Sequence, residues 1–414
     1  MTITTKDKGI SRRKAATLLA GAALASGLSR PAIAQAVTVR WWYHFDNPQH
    51  TPADLIAKFE AQNPGIKIQA ESIPWGGGND YATRMFAAVI ANNAPDCALV
   101  KIANQARLLE MRALHPIDEL VRGWSARSDI ADDVWRVNRG ADGKQYYLPI
   151  QYVVLYLYYR ADLLQQAGLQ PPKSFDDFLA AAKATTKGDV YGFGMRGGGG
   201  GHDHWGSFVL GAGANFDKGG MISPQALAAN RWFVNLHREH KVFPPSAPTD
   251  GFRQIVDSFK AGRTAMTIHH IGSANEMVQA LGDRVSAVPV PRSAQGTGWT
   301  SFGDESNAIF ASSRNKEAAF RWIAFLSTAE NNVAFNKLTG QLTITTSGAR
   351  SWDLHPQRFV DATSQSLPIA TVLPDRPQTP DFTRTVWPTT MQRALLGQIS
   401  SDDMMQTIEK HFSG

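Results

Sequence analysis

A single cysteine, Cys97, stands in 414 residues. No internal disulfide can form, and no cysteine follows the N-terminal segment to carry a lipid anchor. An excess of charge of one sign is also missing once residues 1–34 are set apart. The chain holds 42 Lys and Arg against 36 Asp and Glu. Residues 1–34 contain six of those basic residues and one acid, which leaves 36 against 35, a net charge of +1. That balance calls for neither nucleic acid nor an anionic membrane as partner. No internal repeat, heptad run or low-complexity tract is present beyond two glycine clusters. The chain has no Gly-x-Ser-x-Gly elbow, no His-Glu-x-x-His and no Gly-Lys-Ser/Thr after a glycine run. The commonest hydrolase, metalloprotease and nucleotide-binding signatures are therefore absent.

The N-terminus has the layout of a targeting segment. Ser11-Arg12-Arg13-Lys14 is a twin-arginine basic region. Ala15 to Leu28 is rich in Ala, Leu and Gly and falls short of the about 20 residues that span a bilayer. Ala32-Ile33-Ala34 is a small-x-small cleavage site. The expectation is a cleaved segment, residues 1–34, and a periplasmic protein exported by the twin-arginine route, with the general secretory route open as the alternative. About 380 residues remain, more than one ordinary core holds, which suggests two lobes.

The longest informative stretch runs from Gly143 to Asp162. Between Tyr152 and Tyr159 every residue is apolar or aromatic, with β-branched and aromatic types dominant. That composition predicts one buried strand, covered on both faces. Ser174 is placed as an N-cap with Asp177 at the reciprocal position of a capping box. Upstream, Val37–Tyr43 and Ile66–Ile73 read as strands, and Pro52–Ala61 as a helix with Leu55, Ile56 and Phe59 on one face. A further helix runs to Ala91, and a third strand contains Cys97 as a small buried residue. The recurring strand–helix–strand order predicts a parallel sheet, with ligands at the carboxyl ends of its strands. Trp41 and Trp42, adjacent on a strand, must face opposite sides.

Several marks resemble one family. They are Gly143-Lys144 … Leu148-Pro149 with Leu157-Tyr158-Tyr159 and Ala167-Gly168-Leu169, Asn63-Pro64-Gly65-Ile66-Lys67-Ile68, Ala94-Pro95-Asp96, Phe259 … Gly262-Arg263-Thr264-Ala265-Met266, the Asn315–Leu326 helix, and Leu395 … Gly397 … Ser400. In this order and spacing they resemble the solute-binding proteins of bacterial ABC importers, in the carbohydrate-binding branch typified by maltose-binding protein. The resemblance covers most of residues 37–412. It implies an α/β fold of two lobes hinged about a cleft, with residues 35–152 and 303–350 in an N-terminal lobe and 153–302 and 351–414 in a C-terminal one. It also implies a monomer that delivers a small solute to permease subunits, and it aligns Gly303 with a glycine at the return to the first lobe.

A sugar site needs aromatic faces for the C–H faces of the rings and planar polar groups for paired hydroxyls. Strand ends and adjoining loops offer Trp42, His44, Asp46, Trp75, Asp80, Gln151, Tyr152, His204, Trp205, His270, Trp299 and Asp304, and with Gly303 these are the candidate ligand-binding residues. Trp232, Trp322 and Trp352 are assigned to packing. His202-Asp203-His204 has the look of a metal fragment, but spacing supplies no fourth ligand, so these are read as polar cleft groups ahead of a metal site, the lesser reading kept open, and no metal or cofactor is assigned. Gly76–Gly78 and Gly197–Gly201 are read as mobile loops near the cleft. Two alternatives to sugar capture stay open. One is a glycerol phosphate or phosphodiester ligand, clamped by Arg84, Arg196 or Arg384. The other is an exported glycan hydrolase using carboxylates among Asp46, Asp80, Asp96, Asp203 and Asp304.

The leader carries a direct test. Mass spectrometry of the exported protein is expected to find Gln35 as the first residue. Arg12→Lys with Arg13→Lys is expected to leave the unprocessed chain in the cytoplasm.

Overall fold

The computed structural model describes residues 1–2, 36–45, 50–74 and 79–413. Two β-sheets organise the chain. The first has seven strands in the order β10-β4-β9-β3-β1-β2, with β11 paired to β9. The strands are β1 (Val37–Tyr43), β2 (Ile66–Ser72), β3 (Cys97–Lys101), β4 (Tyr147–Val154), β9 (Thr300–Ile309), β10 (Leu342–Thr343) and β11 (Ala370–Thr371). The second has four, ordered β6-β7-β5-β8, built from β5 (Tyr156–Arg160), β6 (Tyr191–Gly194), β7 (Thr264–His269) and β8 (Val285–Val288). The expected parallel arrangement holds for β2-β1-β3. It fails beyond β3, because β9 inserts antiparallel between β3 and β4. A strand from residues 300–309 returning to the first sheet has no local signature in the β-α-β run that precedes it.

The apolar run from Tyr152 to Tyr159 is two strands rather than one. Leu155 separates them, and the chain passes there from the first sheet to the second. Both halves are apolar because both sheets are covered on two faces. In β5, Leu157 joins one core with Phe178, Phe193 and Met266, while Tyr156 and Tyr158 join another with Phe259 and Phe359. In β1, Trp41 packs with Phe59 and Trp322, and Trp42 faces the opposite core with Tyr81 and Met85. Cys97 is fully buried in β3, where burial pushes its thiol pKa well up. β9 makes the second passage between sheets. Thr300 Oγ1 donates to the Leu155 carbonyl at 2.8 Å, so the two crossing strands are tied at the point of passage.

Helices cover both sheets. Ala53–Gln62 and Lys316–Leu326 lie on one face of the first. Phe175–Thr185, Pro224–Arg238, Trp387–Leu395 and Ser401–Ser413 share a core with the second. Trp322 is fully buried, while Trp232 packs at the edge of its core and Trp352 stacks on His355. Among the described residues no helix is long and apolar enough to cross a membrane.

The capping box forms as expected. Ser174 Oγ accepts from Asp177 N at 3.1 Å, and Asp177 Oδ2 accepts from Ser174 N at 3.0 Å. The shorter Asp thus suffices in a position usually held by Glu or Gln. Ser174→Ala is expected to cost about 1 kcal/mol of unfolding free energy, read as a lower urea midpoint at unchanged slope.

Candidate functional site

The carboxyl ends of β1, β3, β6 and β7 all run toward one cavity of about 200 Å³ between the two sheets. From the first sheet it is walled by His44, Lys101, Gln151, Gly303 and Glu305, with Gln341 just ahead of β10. From the second come Arg196, His202, Asp203, His204, His269 and His270, with Phe252. The tail of the chain adds Leu373, Thr383 and Arg384.

Glu305 is the centre of the first wall. It lies within β9, opposite Gln151 of β4, and its side chain is almost wholly buried. Lys101 Nζ sits 2.9 Å from one carboxylate oxygen and His44 Nε2 3.8 Å from the same oxygen. Gln151 Nε2 donates to the other oxygen. Burial alone would push this carboxyl up, but Lys101, then His44 and His270, overcome it and hold the pKa below the usual range. A buried carboxylate kept ionised in this way costs several kcal/mol if one partner is removed.

The second wall is a set of neutral imidazoles. The His269 and His270 rings lie 4.4 Å apart, and Phe252 lies 4.6 Å from His269. His270 Nδ1 accepts from Gly272 N at 3.1 Å, and Gln341 Nε2 lies at the same distance from it. His204 Nδ1 accepts from Arg196 N at 3.3 Å. Burial, aided by Arg196, lowers His204 to about 3, and burial with Lys101 lowers His270 to about 3. Burial also lowers His269 well below its ordinary value, and His202 too, against the opposing pull of Asp203.

Residues that line the cavity also hold polar atoms that the fold leaves over. Gln151 Oε1, Gln341 Oε1, His202 Nδ1 and His269 Nε2 are buried and meet no hydrogen-bond partner among the described residues. Four such atoms, two on each wall, are an uncompensated cost unless something polar meets them. Among the described residues no group of three or more His, Cys, Asp or Glu side chains is arranged to hold a metal ion.

Of the residues singled out in the sequence, His44, Gln151, His204, His270 and Gly303 stand on this cavity. Trp42, Trp205 and Trp299 do not. Trp42 faces a core because β1 is covered on both sides. Trp205 points from its helix into the second lobe's core, where Nε1 donates to Asn230 Oδ1 at 2.8 Å. Trp299 packs in that same core, against Gly206. Tyr152 alternates away from Gln151 and Val153 and stacks on Phe302 at 6.1 Å. Asp46, Trp75 and Gly76–Gly78 lie outside the described residues, as do the side chains of Asp80 and Asp304. Of the proposed phosphate-clamp arginines, Arg196 and Arg384 line the cavity. Arg84 instead pairs with Glu71 and lies over the Trp42 ring.

The second glycine run is a packed turn, not the mobile loop expected. A Cβ on Gly197 would sit 2.2 Å from the Ala247 carbonyl, and one on Gly201 would sit 1.8 Å from that of Arg196. The close approach brings Gly200, His202 and Asp203 to the cavity. Glu305 was not among the candidates drawn from the sequence, which took Gly303 and Asp304 at that place instead. The signal available was an acid within a strand next to the apolar Ala308-Ile309, a place that charges rarely occupy without a partner.

These pKa shifts fix the sign of a pH effect. Unfolded histidine takes up its proton near pH 6.5, whereas folded His204 does so only near 3. The unfolded state therefore binds more protons between those values, and stability falls as pH drops from 6.5 towards 3. The slope is up to about 1.4 kcal/mol per pH unit for each such histidine. Urea titrations from pH 7 to 4 are expected to show this fall, and His204→Gln is expected to flatten it by about one proton.

The model of the bacterial extracellular solute-binding protein family matches residues 47–333. A putative binding protein of Brucella abortus is 26% identical over 69% of this chain and 70% of its own length. Two solved structures share the fold. An ABC transporter solute-binding protein of Thermotoga lettingae, bound with α-D-tagatose, has a TM-score of 0.78 at 21% identity, covering 91% of this chain and 99% of that one. One of Agrobacterium radiobacter, in complex with ribitol, has a TM-score of 0.79 at 20% identity, covering 91% and 98%. With a family match running through β2 to β9 and a two-sheet fold shared over nine-tenths of its length, the chain belongs to the bacterial extracellular solute-binding proteins.

Proposed function

We propose that the protein captures a small sugar or polyol in the cavity between its sheets and delivers it to the permease of an ABC importer. The observation that carries this is that four residues lining the cavity, Gln151, Gln341, His202 and His269, each hold a buried polar atom with no partner among the described residues, and that Phe252 and Phe302 line it with them. Paired hydroxyls both donate and accept, so a polyhydroxylated ligand answers amide oxygens and imidazole nitrogens together. The ligands named for the structural neighbours, tagatose and ribitol, belong to this class. A cavity of about 200 Å³ is smaller than the roughly 300–1,000 Å³ of sites for drug-sized molecules. That favours a single ring or a short polyol over a chain of rings.

In this reading the lobes are residues 35–152 with 303–350, and 153–302 with 351–414. They close about the crossing strands at Leu155 and Thr300, and the permease recognises the closed form. The protein acts as a periplasmic monomer after export by the twin-arginine route, and it binds its ligand without turnover.

Thermal melting of residues 35–414 against monosaccharides, polyols and short oligosaccharides tests the proposal. A ligand at 100 times its Kd adds about 2.7 kcal/mol to the native state and raises Tm. Gln151→Leu and Gln341→Leu are each expected to weaken binding by about tenfold or more, the loss of a hydrogen bond in a dry site. Absence of any shift across the panel would overturn the proposal, and turnover of an oligosaccharide would replace it with catalysis.

A further inference from the structure

Resting on the sugar or polyol reading of the cavity, we infer that His269 and His270 form a hydroxyl-reading pair whose protons the fold places in opposite senses. His269 accepts from the ligand at Nε2, His270 donates to it at Nε2, and Gln341 is a positioning residue for the second. Both imidazoles stand at the carboxyl end of β7 and line the cavity.

Which ring nitrogen carries the proton follows from what the other nitrogen meets. His270 Nδ1 lies 3.1 Å from the backbone nitrogen of Gly272, which can only donate. That contact caps the 3-10 turn Ile271–Ser273. Nδ1 is therefore the bare nitrogen, and the proton of neutral His270 is on Nε2. Gln341 must then turn its amide nitrogen to Nδ1, also at 3.1 Å, so Oε1 is the atom it leaves without a partner. A Cβ on Gly272 would come within 2.6 Å of Gln341 Nε2, so a glycine there is what admits this approach. The bonds that His270 makes within the chain are at Nδ1 and the backbone, which leaves Nε2 for the ligand.

His269 is set the other way. Its Nδ1 lies 3.5 Å from the His270 carbonyl oxygen, which can only accept. Tyr158 Oη donates to that same oxygen at 2.9 Å and holds it in place. Two facing lone pairs would repel, so the proton sits on Nδ1. Nε2 is then a bare acceptor, buried without a partner in a residue only 3% exposed. Burial keeps both rings neutral, so neither takes the second proton that would erase the difference.

A ring separation of 4.4 Å is short enough for one hydroxyl, or two on neighbouring carbons, to serve both. A hydroxyl gives its proton to His269 and takes one from His270. An ionised carboxylate or phosphate oxygen can accept from His270 but sets a lone pair against His269 Nε2. An ether oxygen fails at His269 in the same way, and a carbon stripped of its hydroxyl fails at both. The pair therefore selects a free hydroxyl, whatever else the ligand carries.

NMR of the processed protein with isotope-labelled imidazole nitrogens reads the protons directly, with no ligand needed. At neutral pH His269 is expected to carry its proton on Nδ1 and His270 on Nε2. The same tautomer in both rings, or the reverse assignment, would overturn the inference and leave the sugar reading intact. Calorimetry then compares D-glucose, D-galactose, D-fructose and sorbitol, each with its monodeoxy and mono-O-methyl forms. Loss or methylation of one hydroxyl is expected to weaken binding about tenfold or more. In His269→Leu that ratio is expected to shrink towards one, while the ratios at other hydroxyls persist. Equal weakening of parent and analogues, the mark of a packing role, would overturn the assignment of His269. Melting of the unliganded variant checks its fold. If it is unfolded, the His269 Nε2 resonance of the unaltered protein decides, since it is expected to move with the parent sugar and to stay with the analogue that binds weakly. Gln341→Glu sets an acceptor against His270 Nδ1, and it is expected to draw a proton to that nitrogen and to weaken binding about tenfold or more. An unmoved proton would overturn the positioning role of Gln341. Binding by none of the parent compounds would overturn the sugar reading together with the inference.

Discussion

The carboxylate of Glu305 is charged and almost wholly out of water, and much of the first wall follows from keeping it so. A lone buried carboxylate would take up a proton or pull the strand open. Here Lys101 from the end of β3, His44 from the end of β1 and Gln151 from β4 converge on it. Those strands are neighbours of β9 or lie one strand beyond it, so the pairing order of the sheet and the position of the charge support each other. The amide nitrogen of Gln151 is committed to Glu305, which leaves its amide oxygen, in a residue that lines the cavity, without a partner among the described residues.

The second wall uses burial rather than pairing. Four imidazoles are kept neutral among packed apolar residues and nearby cations. A neutral imidazole donates at one nitrogen and accepts at the other, which suits hydroxyl groups and is insensitive to pH in the range where free histidine titrates. The two walls are therefore different in kind, one an ordered charge network and the other a row of uncharged donors and acceptors. Arg196 and Arg384 stand at the margin of the second.

What the sequence made legible was local. The Ser174–Asp177 box, the opposite facing of Trp41 and Trp42, and the burial of Cys97 each depend on spacing within a few residues, and each appears in the structure. The break at Leu155 left no mark, because strands covered on both faces read alike whichever sheet they join. Trp205 and Trp299 looked like ring platforms, since they fall beside polar loop residues, but only the packing of distant helices decides that they are core. Arg384 was named as one of three clamp arginines without a place in the fold, and Glu305 was not named at all. One depends on a π-helical turn near the end of the chain, and the other on β9 pairing with strands some 150 to 200 residues away.

That placement of β9 also governs the order in which the molecule can assemble. It sits between β3 and β4, so those two strands, though synthesised early, have no direct pairing with each other. Until residues 300–309 have been made, each presents an open edge where β9 belongs, and the Trp41 indole lacks Asn307, to whose Oδ1 it donates at 2.9 Å. The first lobe therefore cannot close as the chain emerges. It must wait for most of the second to be synthesised, with its contacts separated by long loops whose closure is slow. During that wait the exposed edges are open to pairing with other chains. Folding of the first lobe is in that sense not a local event, and it is not a unit that can be expected to form first and alone.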